Sequence, residues 1–293
     1  MGDVLTTLRD STDPAMRRLA GDDAADPMDS RRVRTLLDFP TDVHPYRKWW
    51  GIHWRLVELA DLGARPQRGA LEAAVDRELS WLTSPAHVRA VTAVNGRYRR
   101  CASQEGNALY ACATLGFADD PRVRQLVENL LAWQWPDGGW NCNGAPDAWR
   151  SSFHETVTPA LGLAAYHAAT GDLDARAAAA RSAELFLEHR MFRRLADGSV
   201  IHPTWVKLHY PAYWHYDVGQ GLRLLQVLGL LDDPRAQDAL DVVEGARRGD
   251  GRFSGPAWWN AQMRPSVDWG RGPDNDMLNL RAANVLHAAG RAG

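Results

Sequence analysis

Cysteine is scarce in this chain: Cys101, Cys112 and Cys142 are the only three in 293 residues. An odd set cannot close into a disulfide framework, so a reducing, cytoplasmic setting is expected. Long apolar runs are missing as well. No stretch approaches the roughly 20 apolar residues that span a bilayer. The start, Met1-Gly2-Asp3-Val4-Leu5, lacks a basic region followed by an apolar core. Neither a transmembrane segment nor a secretory leader is therefore expected. Charge of one sign is also lacking: 34 Lys and Arg stand against 36 Asp and Glu, with no long run of either. That removes the electrostatic footprint of a nucleic-acid partner. No Asp-Asp-x-x-Asp run occurs, so ionisation of a diphosphate by a magnesium cluster has no support, and no nucleotide cofactor is expected.

What the chain does contain is a repeat. Residues 115–122 read Leu-Gly-Phe-Ala-Asp-Asp-Pro-Arg and residues 228–235 read Leu-Gly-Leu-Leu-Asp-Asp-Pro-Arg, with Gly116 and Gly229 113 positions apart. The same offset carries Asp137-Gly138-Gly139-Trp140 onto Asp250-Gly251-Arg252-Phe253. Two motifs kept at one spacing indicate stacked supersecondary units. Five apolar-periodic segments end in Gly63, Gly116, Gly171, Gly229 and Gly290, where glycine lets a helix close in the left-handed region. These predict inner helices near 47–62, 103–115, 154–170, 213–228 and 275–289. A second helix follows each of the first four glycines, near 68–84, 121–135, 173–194 and 234–247, and Pro121 and Pro234 suit a first helical turn. Residues 155–170 are apolar and small nearly all round, as in a helix buried on every side, whereas 173–190 keep a charged face. The reading is an all-α chain: an α/α toroid of five to six helix pairs with parallel inner helices. Residues 1–29 form an N-terminal arm, expected to be partly mobile, and 30–293 a single domain in which a helix at 30–38 partners the last inner helix.

The run Trp133-Gln-Trp-Pro-Asp-Gly-Gly-Trp140 resembles the QW repeat of squalene-hopene cyclases. With the helix pattern, it makes roughly 40–293 similar in architecture to the terpenoid cyclase and protein prenyltransferase superfamily. That resemblance implies an enzyme acting on a largely apolar, prenyl-like small molecule in a central cavity. It does not by itself specify a reaction.

Chemically capable residues gather before the terminal glycines. Trp49, Cys101, His154, His215 and Asp276 lie 14, 15, 17, 14 and 14 residues ahead of theirs. In a toroid they would share one rim, where helix dipoles point positive ends at a ligand. Capping side chains at polar helix starts are the alternative. Cys101, Cys142 and His154 are the candidate metal ligands, since two thiolates and an imidazole with an open fourth position make a catalytic zinc set. Two buried thiols and a hydrogen-bonded His are the other reading. The resemblance supports the metal. Protein prenyltransferases hold zinc through an Asp-x-Cys pair and a His on the next inner helix, and Phe153-His154-Glu-Thr-Val-Thr-Pro-Ala-Leu-Gly162 is similar to the segment bearing that His. Arg99 stands where the Asp would be, so Cys142 would substitute, giving a set similar to that of lanthionine cyclases. The aromatic run 207–217 offers His215 and Asp217 as acid or base, with Tyr213 and Trp214 as substrate walls. Asp276 resembles the proton donor of squalene-type cyclases, although Met277 replaces the third carboxylate of that motif. Asp274, Trp49 and Trp140 complete the expected substrate contacts. The alternatives are a zinc-dependent hydrolase, lyase or thiol-activating enzyme on the same scaffold, or a binding toroid without catalysis.

Overall fold

The computed structural model describes residues 4–256 and 265–291. Helices dominate. In chain order they are α1 (Val4–Arg9), α2 (Pro14–Leu19), α3 (Arg31–Leu37), α4 (Ile52–Asp61), α5 (Arg68–Leu82) and α6 (Pro85–Arg89). A hairpin of β1 (Thr92–Val94) and β2 (Arg97–Arg99) follows. Then come α7 (Ser103–Thr114), α8 (Pro121–Trp133), α9 (Phe153–Thr170), α10 (Leu173–Glu188), α11 (Val218–Leu228), α12 (Gln237–Gly245) and α13 (Asp276–Ala288). The chain is all-α apart from that hairpin and isolated bridges among the described residues. No described helix is long and apolar enough to cross a membrane.

The predicted helix ends hold well. All five glycines, Gly63, Gly116, Gly171, Gly229 and Gly290, have positive φ, between 62° and 88°. The starts hold less well. The first inner helix begins at Ile52 rather than 47, because residues 44–50 fold into successive turns, with Arg47 N donating to His44 O and Trp50 N to Arg47 O. The fourth begins at Val218 rather than 213, because Asp217 caps it and Tyr213 sits at φ +54°. Trp49, Tyr213, Trp214 and His215 consequently precede their helices instead of standing on them, and Cys101 precedes α7, which starts at Ser103 as expected. Within residues 1–29, α1 and α2 are helical. The hairpin, unforeseen, turns on Asn95-Gly96, both at positive φ, which matches the twist of paired strands.

The chain divides into two compact units. One comprises residues 39–61 and 66–185. Its centre is the pair α7 and α9, which run parallel: Ser103 meets Glu155 and Thr158 near the helix starts, and Gly162 lies beside Leu109 and Tyr110 further along. Gly106 and Gly162 permit this approach. A Cβ on Gly162 would stand 2.5 Å from Gly106 O, and one on Gly106 would collide with the backbone of Thr158 and Pro159. α4, α5 and α8 pack around α7.

The other unit comprises residues 1–38, 62–65 and 186–293. α11 and α13 pack side by side and in the same direction, Tyr210 O accepting from Asn275 Nδ2 at one end and Asn284 O from Gln226 Nε2 toward the other. α12 covers both, and α1 and α2 pack on α13.

The repeat survives at atomic level. In one unit Trp135 N donates to Gly139 O at 2.8 Å and Gly138 N to Trp135 O at 2.9 Å; in the other Arg248 N donates to Arg252 O at 2.8 Å and Gly251 N to Arg248 O at 3.0 Å. Each turn ends in a fully buried ring, Trp140 or Phe253. The backbone N–H of that residue donates to a side chain on the following helix, Thr156 Oγ1 or Asn279 Oδ1.

Candidate metal site

Two loops meet at the front of α7 and α9. Asn141 bridges Arg99 as a parallel pair, and Arg100 N donates to Asn141 O at 3.0 Å. This places Cys101, just before α7, beside Cys142, just after the Asp-Gly-Gly-Trp turn. Asn141 also fixes its own loop, with Nδ2 donating to Arg150 O and Oδ1 accepting from Asn143 N. The third member is Glu155, in the first turn of α9. One of its oxygens accepts from Ser103 N at 3.0 Å, capping α7 from the neighbouring helix, and the other lies 3.8 Å from Cys142 Sγ. The ligand atoms of Cys101, Cys142 and Glu155 all lie within 4.8 Å of one another, a cluster that could hold a metal ion.

His154 is not a member of that cluster; Glu155 stands beside the two cysteines where His154 was expected. The reason is helical phase. Glu155, Thr158, Pro159 and Gly162 share the face of α9 that meets α7, and His154, one residue earlier, points about 100° away from it. The i, i+3, i+4, i+7 spacing around Gly162 was the available signal. Cys112 lies fully buried on α7, as expected of a core thiol, and burial pushes its pKa up.

The electrostatics suit a cation. The Cys101 thiol donates to Cys142; this and burial raise the Cys101 pKa, while the same hydrogen bond lowers that of Cys142. Burial raises Glu155. Acidic groups crowded at a half-buried place resist ionising together, and a bound dication would relieve that resistance.

Around the cluster lies a shell of polar pairs absent from the sequence reading. Arg100 Nε donates to both oxygens of Glu105, at 2.9 and 3.1 Å, and Arg100 Nη2 donates to Gln104 Oε1. His87 Nε2 lies 3.0 Å from Glu105. The Tyr46 hydroxyl hydrogen-bonds Gln104, and burial with the nearby Glu155 and Cys101 raises its pKa. Behind Tyr46, the fully buried His53 and Glu78 pair at 2.7 Å, walled by Tyr46, Trp54 and Trp81.

The remaining expected residues take local places. Trp49 is buried against Trp54, with ring centroids 5.4 Å apart. Trp140 is buried in its turn and donates through Nε1 to Leu130 O. In the unit containing both chain ends, His215 stacks on Trp214 at 3.9 Å with Nδ1 near Ala212 O, and Tyr213 is buried. Asp217 accepts from His209 N, His209 Nδ1 and Gln220 N. It borders a small cavity with Leu208, His209, Gln220, Leu278 and Arg281. Asp276 pairs with Arg32 at 3.2 Å beside a wide surface groove, and the exposed Asp274 pairs with Arg252 at 2.7 Å. No protein-family model, curated protein or solved structure matches this chain.

Proposed function

We propose that this chain is a zinc-dependent enzyme of the α/α toroid type that activates a thiol for attack on a largely apolar, prenyl-like substrate. Cys101, Cys142 and Glu155 hold the ion and leave a fourth position open. The convergence of those three side chains carries the reading. Two thiolates and one carboxylate outweigh the charge of the ion, so zinc bound there acidifies water weakly but keeps a thiol deprotonated and nucleophilic. Tyr46 and Trp81, both half-buried, offer apolar surface behind the cluster. The left-handed helix ends and the parallel inner pairs, α7 with α9 and α11 with α13, support the toroid. An acid role for Asp217 is favoured less, since both of its oxygens already accept hydrogen bonds.

The test is metal content and spectroscopy. Protein purified without added metal should retain about one zinc per chain, as a single site requires. Glu155→Gln keeps the shape that accepts Ser103 N–H and should weaken zinc affinity at least about 10-fold; Cys142→Ser should do the same. Cobalt-substituted protein should show thiolate charge-transfer absorption that grows when a small thiol is added. If no divalent metal is retained and cobalt gives no such band, the reading is wrong.

A further inference from the structure

Cys101 and Cys142 are held together by backbone pairing rather than by side-chain preference alone. The Arg99–Asn141 bridge and the Arg100 N to Asn141 O bond fix the two loops within two residues of each cysteine. Their sulfurs lie within 4.8 Å of each other. Cys142 is exposed, Cys101 is half-buried and Cys112 is fully buried. An exposed thiol with a second thiol close behind it is the arrangement in which oxidation ends in a disulfide instead of continuing to sulfinic acid. Bond formation needs the sulfurs at about 2.05 Å, and rotation about the Cα–Cβ bond of exposed Cys142 supplies the approach.

We propose that Cys101 and Cys142 form a reversible internal disulfide when the protein meets a hydroperoxide, and that closure withdraws two of the three ligands of the metal site. The disulfide stands on geometry alone; the release of metal rests on the zinc reading above. In the first step Cys142 sulfur attacks one peroxide oxygen and the O–O bond breaks. Cys142 becomes a sulfenic acid, and the departing hydroxide takes up the thiol proton as water. In the second step Cys101 sulfur attacks the sulfenic sulfur and expels hydroxide, which takes the Cys101 proton. Two thiols and one hydrogen peroxide thus give one disulfide and two waters, with two electrons passing from sulfur to oxygen. A dithiol reductant reverses the change.

The experiment uses the full chain, stripped of metal with a chelator, half of it then reloaded with zinc. Each half is treated with a small excess of hydrogen peroxide. Remaining thiols are then alkylated in denaturant and the peptides mapped by mass. Alkylation should fall from the three cysteines to Cys112 alone, with a Cys101–Cys142 linked peptide, and dithiothreitol should restore all three. In the zinc-loaded half, the metal should reach a chromogenic chelator in step with the linkage. Cys101→Ser should leave Cys142 as a sulfenic acid that dimedone traps. Sulfinic acid at Cys142 with Cys101 still alkylated, or linkage between two chains, overturns the proposal. A disulfide that forms while zinc stays bound overturns the release. Linkage in a protein that never binds metal sinks the proposed function and leaves the disulfide standing; zinc binding without linkage does the reverse.

Discussion

Asp120 and Asp233 occupy equivalent places in the two repeats, and each does two jobs. Each caps a helical start, accepting from Arg122 N or Arg235 N at 2.8 Å, and each pairs with the guanidinium of the same arginine at 2.8 Å. Hydrogen bonding to Arg122 and Arg235 holds both carboxyls below the ordinary Asp range. A carboxyl with a depressed folded pKa adds stability that is fully present above its unfolded pKa of about 3.9 and is lost as pH falls through the folded value. Asn caps as well as Asp but does not titrate. The double variant D120N/D233N should therefore show a shallower loss of melting temperature on acidification than the wild type, and equal slopes would refute the assignment. Asp217→Ala removes the α11 cap and also the acceptor of the buried His209 N–H groups, and is expected to cost about 2–4 kcal/mol of unfolding free energy in a denaturant titration. At this scale the sequence showed which residue types could do chemistry and missed which ones meet. Glu155 is hidden in the sequence by its neighbour His154, the more conspicuous metal ligand. The buried Glu78 and Glu105 are not legible, because a lone Glu in a helix reads as solvated until its partner from another element is known.

The contact between α7 and α9 is the element-scale device that builds the Cys101–Cys142–Glu155 cluster. Gly106 and Gly162 let the two backbones approach, and that approach brings Glu155 onto Ser103 N–H beside Cys101. Gly106→Ala inserts a methyl group where the Thr158–Pro159 backbone already stands. The helices must separate, which typically costs about 1–3 kcal/mol, and Glu155 should leave the cluster with them. A lower denaturant midpoint together with weaker zinc binding is the expected result; unchanged values for both would show that the helices can slide without penalty. Helix ends were legible in the sequence because a left-handed glycine is a strong local signal. The early starts predicted at 47 and 213 were errors of turn chemistry: aromatic and polar residues continued the helical pattern on paper, while the chain around Pro45 and Pro211 folded into turns. The hairpin had its own signal in Asn95-Gly96, overlooked because three-residue strands show too little alternation.

At the scale of the molecule, the repeat announced an all-α architecture, but composition could not reveal how the segments group. One unit is nearly continuous, residues 39–61 and 66–185, whereas the other draws on both ends of the chain. The N-terminal residues bury Val4, Leu8, Ala15 and Met16, and α1 and α2 pack on α13. Each large apolar side chain so buried contributes about 1.5–3 kcal/mol. Deleting residues 4–19 should accordingly lower the melting temperature and speed amide exchange in α13, and unchanged exchange there would show these helices to be dispensable. The same division sets an order in time. Chains emerge from the ribosome at about 5–20 residues per second, so residues up to 185 are available well before the last hundred or so. The unit that carries Cys101, Cys142 and Glu155 can fold during synthesis. The first helices, synthesised long before α13, must wait roughly 13–50 s for it, their apolar faces uncovered. The beginning of this chain is thus what a nascent-chain chaperone would hold longest, and protease sensitivity of arrested chains should persist there after the middle of the sequence has become resistant.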